Sequence, residues 1–377
     1  MMFTTRTALS WVVFCLAFVP SAPAIADRAS CLDIKNSPVE RLVCIDGGLA
    51  AMDDAVEEAR AKRQAGLPTA EAEALAKAQR AWSRARETGC SLPDFTDETL
   101  SFSDLWRGAR CLAGLYRERL AQLGAPYEPA RPAALDKPNY IHPLCLGAAV
   151  SDETGKRVPV PLRACQLGNE HNVPEVQEGY LVAKGGPLSP STRIPYTWFG
   201  YQRLGTLADG REVFLVAHVT GGSGFLSSIE TVRRKPGKAG EVMLSAKTLI
   251  QGGDRCEGGI KTASLKGDML TMRSNVQPGT WLNAGGHASP RIIYYKSCSA
   301  CCIGTLLWQR SVGGGKEKVL SGTLNEDYAD NISQEDDANL CFTTAVRKVG
   351  VTPSKDIDIK TIRSIVRAHH RCLEKSR

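Results

Sequence analysis

The sequence has 377 residues, 13 of them cysteine, with 47 Lys and Arg against 40 Asp and Glu for a net charge of +7. That length is long for one domain and ample for two, which excludes a miniature scaffold held by disulfides alone. Behind a short N-terminal apolar stretch no segment offers the roughly 20 apolar residues that a bilayer crossing needs, which excludes a helical membrane protein.

Residues 1–26 read as an export signal. Arg6 gives a positive start, residues 8–19 are apolar, and Ala24, Ile25, Ala26 form a small-x-small cleavage site, so a mature chain beginning at Asp27 in the periplasm or outside the cell is expected. Cys15 lies inside the apolar core, behind Val12, Val13 and Phe14, and is not read as a lipid anchor. Setting it aside leaves twelve cysteines: Cys31, Cys44, Cys90, Cys111, Cys145, Cys165, Cys256, Cys298, Cys301, Cys302, Cys341 and Cys372. An even number in an oxidising compartment reads as structural disulfides.

Charge divides unevenly. Residues 27–125 hold 14 Lys and Arg against 16 Asp and Glu, whereas residues 126–377 hold 32 against 24. Composition changes at the same place, because Gly124, Ala125, Pro126, Pro129 and Pro132 cannot continue a helix. Residues 124–138 therefore read as a semi-rigid Pro/Ala-rich linker between a domain at 27–123 and another at 139–377. In the first domain, Ser37, Pro38, Val39, Glu40 is a capping box with proline at the first helical position, predicting a helix from Pro38 to about Cys44 that Gly47 and Gly48 interrupt. Leu49, Met52, Val56 and Ala59 recur at helical spacing opposite Asp53, Asp54, Glu57 and Glu58, up to a turn at Gly66, Leu67, Pro68. Thr69 restarts a helix with the stripe Leu75, Ala78, Trp82, Ala85. Two arms of similar length make a helical hairpin that returns Cys90 toward Cys44. Cys44–Cys90 with Cys31–Cys111 is the expected pairing, one of three connectivities.

Taken in order, Cys31, Ser37, Pro38, Val39, Glu40, Cys44, Leu49, Met52, Asp53, then Gln79, Arg80, Ala81, Trp82, Arg86, Cys90, and finally Cys111, Leu112, Tyr116, Arg119 and Leu123 resemble the N-terminal domain of the lysozyme inhibitor LprI family. The departure is the connection Ser91 to Ser103, longer and more acidic than the family's, with Asp94, Asp97 and Glu98 followed by Asp104. The resemblance implies an exported, disulfide-stabilised helical domain and, in some members, inhibition of lysozyme. On the residues themselves, Trp82, Tyr116 and Leu123 are expected to form the core of a three-helix unit. Arg86 and Arg119 are candidates to engage the acid pair of a lysozyme cleft, or else they pair with Asp53 or Glu40 inside the domain. Asp94, Asp97 and Glu98 are candidates to steer the approach of a basic lysozyme, the alternative being a solvated loop.

From about Tyr180 to Arg310 alternation and turn chemistry replace the helical period. Strands are predicted at Gly179–Ala183, Trp198–Leu204, Glu212–Thr220, Phe225–Arg233, Glu241–Ile250, Gly259–Lys266, Met269–Asn275, Arg291–Lys296 and Gly304–Arg310, with hairpin turns at Ala208, Asp209, Gly210 and at Lys266, Gly267, Asp268. A sandwich, a partial barrel or a propeller-like sheet satisfies this pattern. Beyond Gly322 helices are predicted at Glu335–Val346 and Asp358–Cys372, and laid antiparallel they place Cys341 opposite Cys372. Cys298, Ser299, Ala300, Cys301, Cys302 lies between predicted strands, without the helix that would activate a redox thiol, and neither Cys256 nor His287 completes a zinc site. Arg233, Arg234, Lys235 and Lys238 surround Pro236 and Gly237 at a hairpin tip, a solvated tip or a candidate contact for an anionic wall or lipid surface. Gly221, Gly222, Ser223, Gly224 lacks the second glycine and the strand-to-helix setting of a nucleophile elbow and reads as a turn.

The sequence thus predicts an α+β chain of two domains, a disulfide-linked three-helix unit followed by a mainly antiparallel β domain that ends in helices. The expected function is that of an exported envelope binding protein, with lysozyme inhibition as its most specific activity and with no catalysis, cofactor or metal. The expected partner is lysozyme, another envelope protein or an anionic surface, and nucleic acid is not expected. The alternatives are a periplasmic thiol-disulfide oxidoreductase using Cys298, Cys301 or Cys302, a hydrolase of the β domain, and a structural protein anchored on the cell wall.

Overall fold

The computed structural model describes residues 37–92, 102–128, 139–151, 157–186, 196–220, 224–286, 302–332 and 337–376. Helix α1 (Pro38–Ile45) starts as its capping box dictates, with the Ser37 hydroxyl accepting from the Glu40 N–H at 3.2 Å. The chain turns at Asp46, whose carboxylate accepts from the N–H groups of Gly48 and Leu49 at 2.9 and 3.1 Å and so caps α2 (Gly47–Ala65). The two glycines begin a helix instead of interrupting one. A Cβ on Gly47 would stand 2.7 Å from the backbone carbon of Lys184, and one on Gly48 2.7 Å from the Cα of Asn172, so glycine is what lets this helix end approach the following region. Helix α3 (Thr69–Gly89) returns antiparallel, and α4 (Phe102–Gln122) lies against α2. Val39, Leu42, Leu49, Met52, Val56, Leu112, Tyr116 and Leu120 are buried among these helices.

Seven antiparallel strands form a first sheet: β1 (Val160–Pro161), β2 (Glu175–Gln177), β3 (Tyr180–Lys184), β4 (Tyr196–Thr206), β5 (Glu212–Thr220), β6 (Phe225–Pro236) and β7 (Val242–Asp254), in the order β1-β7-β6-β5-β4-β3-β2. A second sheet holds β8 (Ile260–Lys266), β9 (Met269–Val276), β10 (Gly304–Ser311), β11 (Lys318–Leu324) and β12 (Asp356–Asp358), in the order β12-β11-β10-β9-β8. Helices α5 (Pro143–Val150) and α6 (Leu162–Gly168) join α1–α4 on one face of the first sheet, through Phe199, Phe214, Val216, Val232 and Leu244. The opposite face, with Val213, Leu215 and Ile229, meets Ile260, Leu270 and Met272 of the second sheet. Beyond it, Leu306 and Leu324 pack with Trp281 of α7 (Pro278–Ala284), Phe342 of α8 (Asp337–Val349), and Ile362 and Ile365 of α9 (Ile359–Lys375). The layers run helix, sheet, sheet, helix. Because the first sheet is covered on both sides, β5 reads Val213, Phe214, Leu215, Val216, Ala217, apolar without alternation and buried throughout.

The α+β class agrees with the sequence reading, and the structure adds several elements. Helix α5 shows no helical period because residues 143–149 are buried on every side. Strands β1, β2 and β12 are two or three residues long, too short for alternation to register. The return to helix at Gly322 is corrected, since β11 runs through that glycine. The strand predicted at Arg291–Lys296 lies outside the described residues.

The predicted Cys341–Cys372 bridge is present, with Cα atoms 5.5 Å apart. The predicted Cys44–Cys90 bridge is not. Cys90 pairs with Cys111, with Cα atoms 5.9 Å apart, and Cys44 is disulfide-bonded elsewhere, which also removes Cys31–Cys111. The reason is the path of α4. It crosses the end of α3, bringing Leu115 against Gly89 and the Cys111 sulfur to 3.8 Å from the Gly89 carbonyl, so Cys111 faces Cys90. Cys145–Cys165 and Cys256–Cys302 complete the described pairs. Cys302 is therefore closed in a bridge, while Cys31, Cys298 and Cys301 lie outside the described residues.

Candidate functional site

The polar residues of the three-helix unit converge on Trp82. Opposite it, Asp53 of α2 accepts from the Arg86 guanidinium at 2.8 Å and from the Tyr116 hydroxyl at 2.7 Å, and Arg86 also donates to the Tyr116 oxygen at 2.6 Å. Burial together with the adjacent Asp53 carboxylate pushes the Tyr116 phenol up, so it stays protonated and remains a donor. A second set lies one turn away. Arg119 donates through Nε and Nη2 to the Gln79 carbonyl oxygen at 3.0 and 2.8 Å, and the Gln79 amide donates to Glu57 at 3.0 Å. Both guanidinium groups lie over the Trp82 ring, Arg86 at 5.5 Å and Arg119 at 5.9 Å from its centroid, and the Trp82 and Tyr116 rings meet edge to face at 5.5 Å. Apart from Arg86 over Trp82, which lies within α3, each contact joins two different helices, so the arrangement clamps α2, α3 and α4 together.

Of the two sequence readings for Arg86 and Arg119, the structure places both side chains inside the domain, Arg86 on Asp53 and Arg119 on Gln79. Tyr116 and Leu123 are buried, and Trp82 is partly buried against the same core. Asp94, Asp97 and Glu98 lie outside the described residues. Asp104, in the first turn of α4, stands 3.4 Å from Arg107. At the hairpin tip Arg233 approaches Asp209 at 3.5 Å, while Arg234 contacts Glu212 at 3.0 Å and donates to the Asn139 carbonyl at 2.9 Å. Lys235 and Lys238 are exposed. A cleft of about 850 Å³ at the rim of the first sheet is lined by Tyr140, Leu181, Tyr201, Arg203 and Leu265, and its Arg203 is held by Glu212 at 2.9 Å.

A second polar cluster, marked by no pattern in the sequence, joins the helical unit to the sheets. Buried Asp46, besides capping α2, accepts from His171 Nε2 at 2.9 Å, and Asn172 Nδ2 donates to the Lys184 carbonyl at 2.7 Å. His142 Nδ1 accepts from the Leu144 N–H at 3.2 Å, so its Nε2 carries the proton and donates to the Asn172 carbonyl at 2.7 Å. Burial lowers the His142 pKa to about 4, so the ring is neutral. Burial alone would raise the Asp46 carboxyl, but His171 and the two amides outweigh it and hold the group below its ordinary value. A bridge between Asp46 and Gly185 closes the seam. Its members lie 125 and 126 residues apart in sequence, and no local pattern marks them.

Among the described residues no group of His, Cys, Asp and Glu is arranged to hold a metal ion, and no helix is long and apolar enough to cross a membrane. Comparison with curated proteins and with solved structures found no match. Residues 31–123, about a quarter of the chain, match the protein-family model described as Lysozyme inhibitor LprI, so the segment that holds α1–α4 and the Trp82 clamp is similar to an LprI domain.

Proposed function

We propose that this protein is an exported inhibitor of lysozyme that acts by binding through its LprI domain, without chemistry of its own. The family match over residues 31–123 carries the reading. Export is supported by Arg6, the apolar residues 8–19 and the Ala24, Ile25, Ala26 site, together with disulfides that persist in an oxidising compartment. Because Arg86 and Arg119 are engaged within the domain, their role is to hold the binding surface rigid, which lowers the ordering cost of docking. The contact falls to the acidic residues Asp94, Asp97 and Glu98 between α3 and α4, whose charge complements a basic lysozyme and speeds its encounter.

The test is lysis of bacterial wall suspensions by a c-type lysozyme in the presence of the oxidised mature protein and of a variant carrying Asp94→Asn, Asp97→Asn and Glu98→Gln. Dose-dependent protection by the wild type, weakened in the variant at unchanged melting temperature, is expected. Protection that the variant retains in full would move the contact off these residues. No protection by the wild type would remove the function.

A further inference from the structure

We infer that the outward face of α9 is a docking surface for an anionic lipid membrane. Along this helix Lys360, Arg363, Arg367 and Arg371 follow one another at intervals of three, four and four residues, which stacks them on one stripe about 17 Å long, and Lys375 extends it. All five are exposed, and among the described residues none forms an ion pair; Arg367 donates to the Ser364 hydroxyl at 2.9 Å. The acidic side chain within α9 is Glu374, in the last turn, while Asp358 precedes the helix and is engaged as its cap, accepting from the Thr361 N–H at 2.7 Å. Lys360 helps hold the Asp358 carboxyl below its ordinary value, while the charge of Arg363, Arg367 and Arg371 is left for something outside the chain.

The kind of partner follows from what the rest of the helix does. Ile362, Ile365, Val366 and Ala368 are buried against the second sheet and α8, and the Cys341–Cys372 bridge pins the far end, so α9 cannot roll its apolar face into a bilayer. It presents instead a fixed, straight row of cations. Leu340, 50% exposed, precedes Cys341, so the bridge brings it to the Arg371 end of the row. A cationic row with an adjoining exposed leucine fits phospholipid head groups over a boundary of acyl chains. The β6–β7 hairpin is less suited, since Arg233 and Arg234 already face Asp209 and Glu212.

Each cation held near an anionic bilayer raises partitioning by about fivefold, so four together give on the order of several-hundred-fold preference over a neutral bilayer at low salt. Co-sedimentation of the mature protein with vesicles of phosphatidylcholine alone, and of phosphatidylcholine with phosphatidylglycerol at roughly three to one, tests this. The expected result is binding to the anionic vesicles alone, released by salt. Arg363→Glu with Arg367→Glu and Arg371→Glu should abolish it, and Arg233→Glu with Lys235→Glu should leave it in place. Equal binding to both vesicles, binding that survives the α9 reversal, or binding lost with the hairpin variant would each overturn the assignment. So would capture by a soluble polyphosphate with no vesicle binding. Should the reversal variant fail to fold, the salt dependence of the wild type on the two vesicles decides alone, because salt-resistant binding or none contradicts an electrostatic surface.

Discussion

The LprI-like domain and α9 both carry arginines at helical spacing, and they use them in opposite directions. In the LprI-like domain Arg86 and Arg119 turn inward because the facing helices offer acceptors, Asp53 from α2 and Gln79 from α3. Along α9 the inward positions are apolar apart from His369, and Arg363, Arg367 and Arg371 face outward, with no carboxylate engaging them among the described residues. A cation within a recognisable motif is therefore no pointer to a partner until the acceptors opposite it are known. Arg86 and Arg119 stabilise the fold, whereas Arg363, Arg367 and Arg371 are left to meet something else.

The sharpest break of the inward kind is at the seam. Replacing Asp46 with Ala leaves His171 and the first amides of α2 buried without their acceptor, and a loss of about 3–5 kcal/mol in urea unfolding is expected. Acid probes the same place without mutation, together with His218 of β5, whose pKa burial also lowers to about 4. His142 is neutral in the folded protein, with a pKa near 4, but takes a proton at about 6.5 when unfolded, so the unfolded state binds more protons between these values. Stability should fall as pH drops from about 6.5 and lose roughly 3 kcal/mol from this group by pH 4. Asp46, held below the ordinary carboxylate value, adds its loss only at more acid pH. A flat stability profile between pH 6.5 and 4 would refute a buried neutral His142.

Arg86→Ala comes next. It removes the cation shared by Asp53, Tyr116 and Trp82, and about 2–3 kcal/mol should be lost, with a change in Trp82 fluorescence that reports the opened clamp. Arg367→Ala is the smallest. Its side chain is exposed and bonded only to Ser364 among the described residues, so the midpoint should move by less than about 0.5 kcal/mol. If Arg86→Ala were as silent as Arg367→Ala, the contrast between inward and outward arginines would collapse.

What was legible in the sequence was what short-range chemistry decides. Ser37 and Glu40 mark the start of α1, and Arg86 reaches Asp53 because a hairpin of known arms sets them across from each other. Cys341 and Cys372 were pairable because two consecutive helices fold back with a short turn between them. Cys90 and Cys111 were not, since their pairing depends on where α4 crosses α3, and no period in the sequence encodes that crossing. Helix α5 was invisible for a related reason: a segment buried on all sides carries no polar face to betray its period. The Asp46 seam lay furthest out of reach, because its parts come together only once the first sheet has placed Lys184 beside the start of α2.

Gly47 and Gly48 make that seam a matter of inheritance as well as of packing. The start of α2 is fitted to the backbone of Lys184 and Asn172, so the LprI-like domain is keyed to this particular sheet in the way a mortise is cut for one tenon. Grafting residues 31–123 onto another carrier would leave two bare glycines and a lone Asp46 at the cut face, and a chimera would hold only if its host supplied a histidine and a strand edge in the same places.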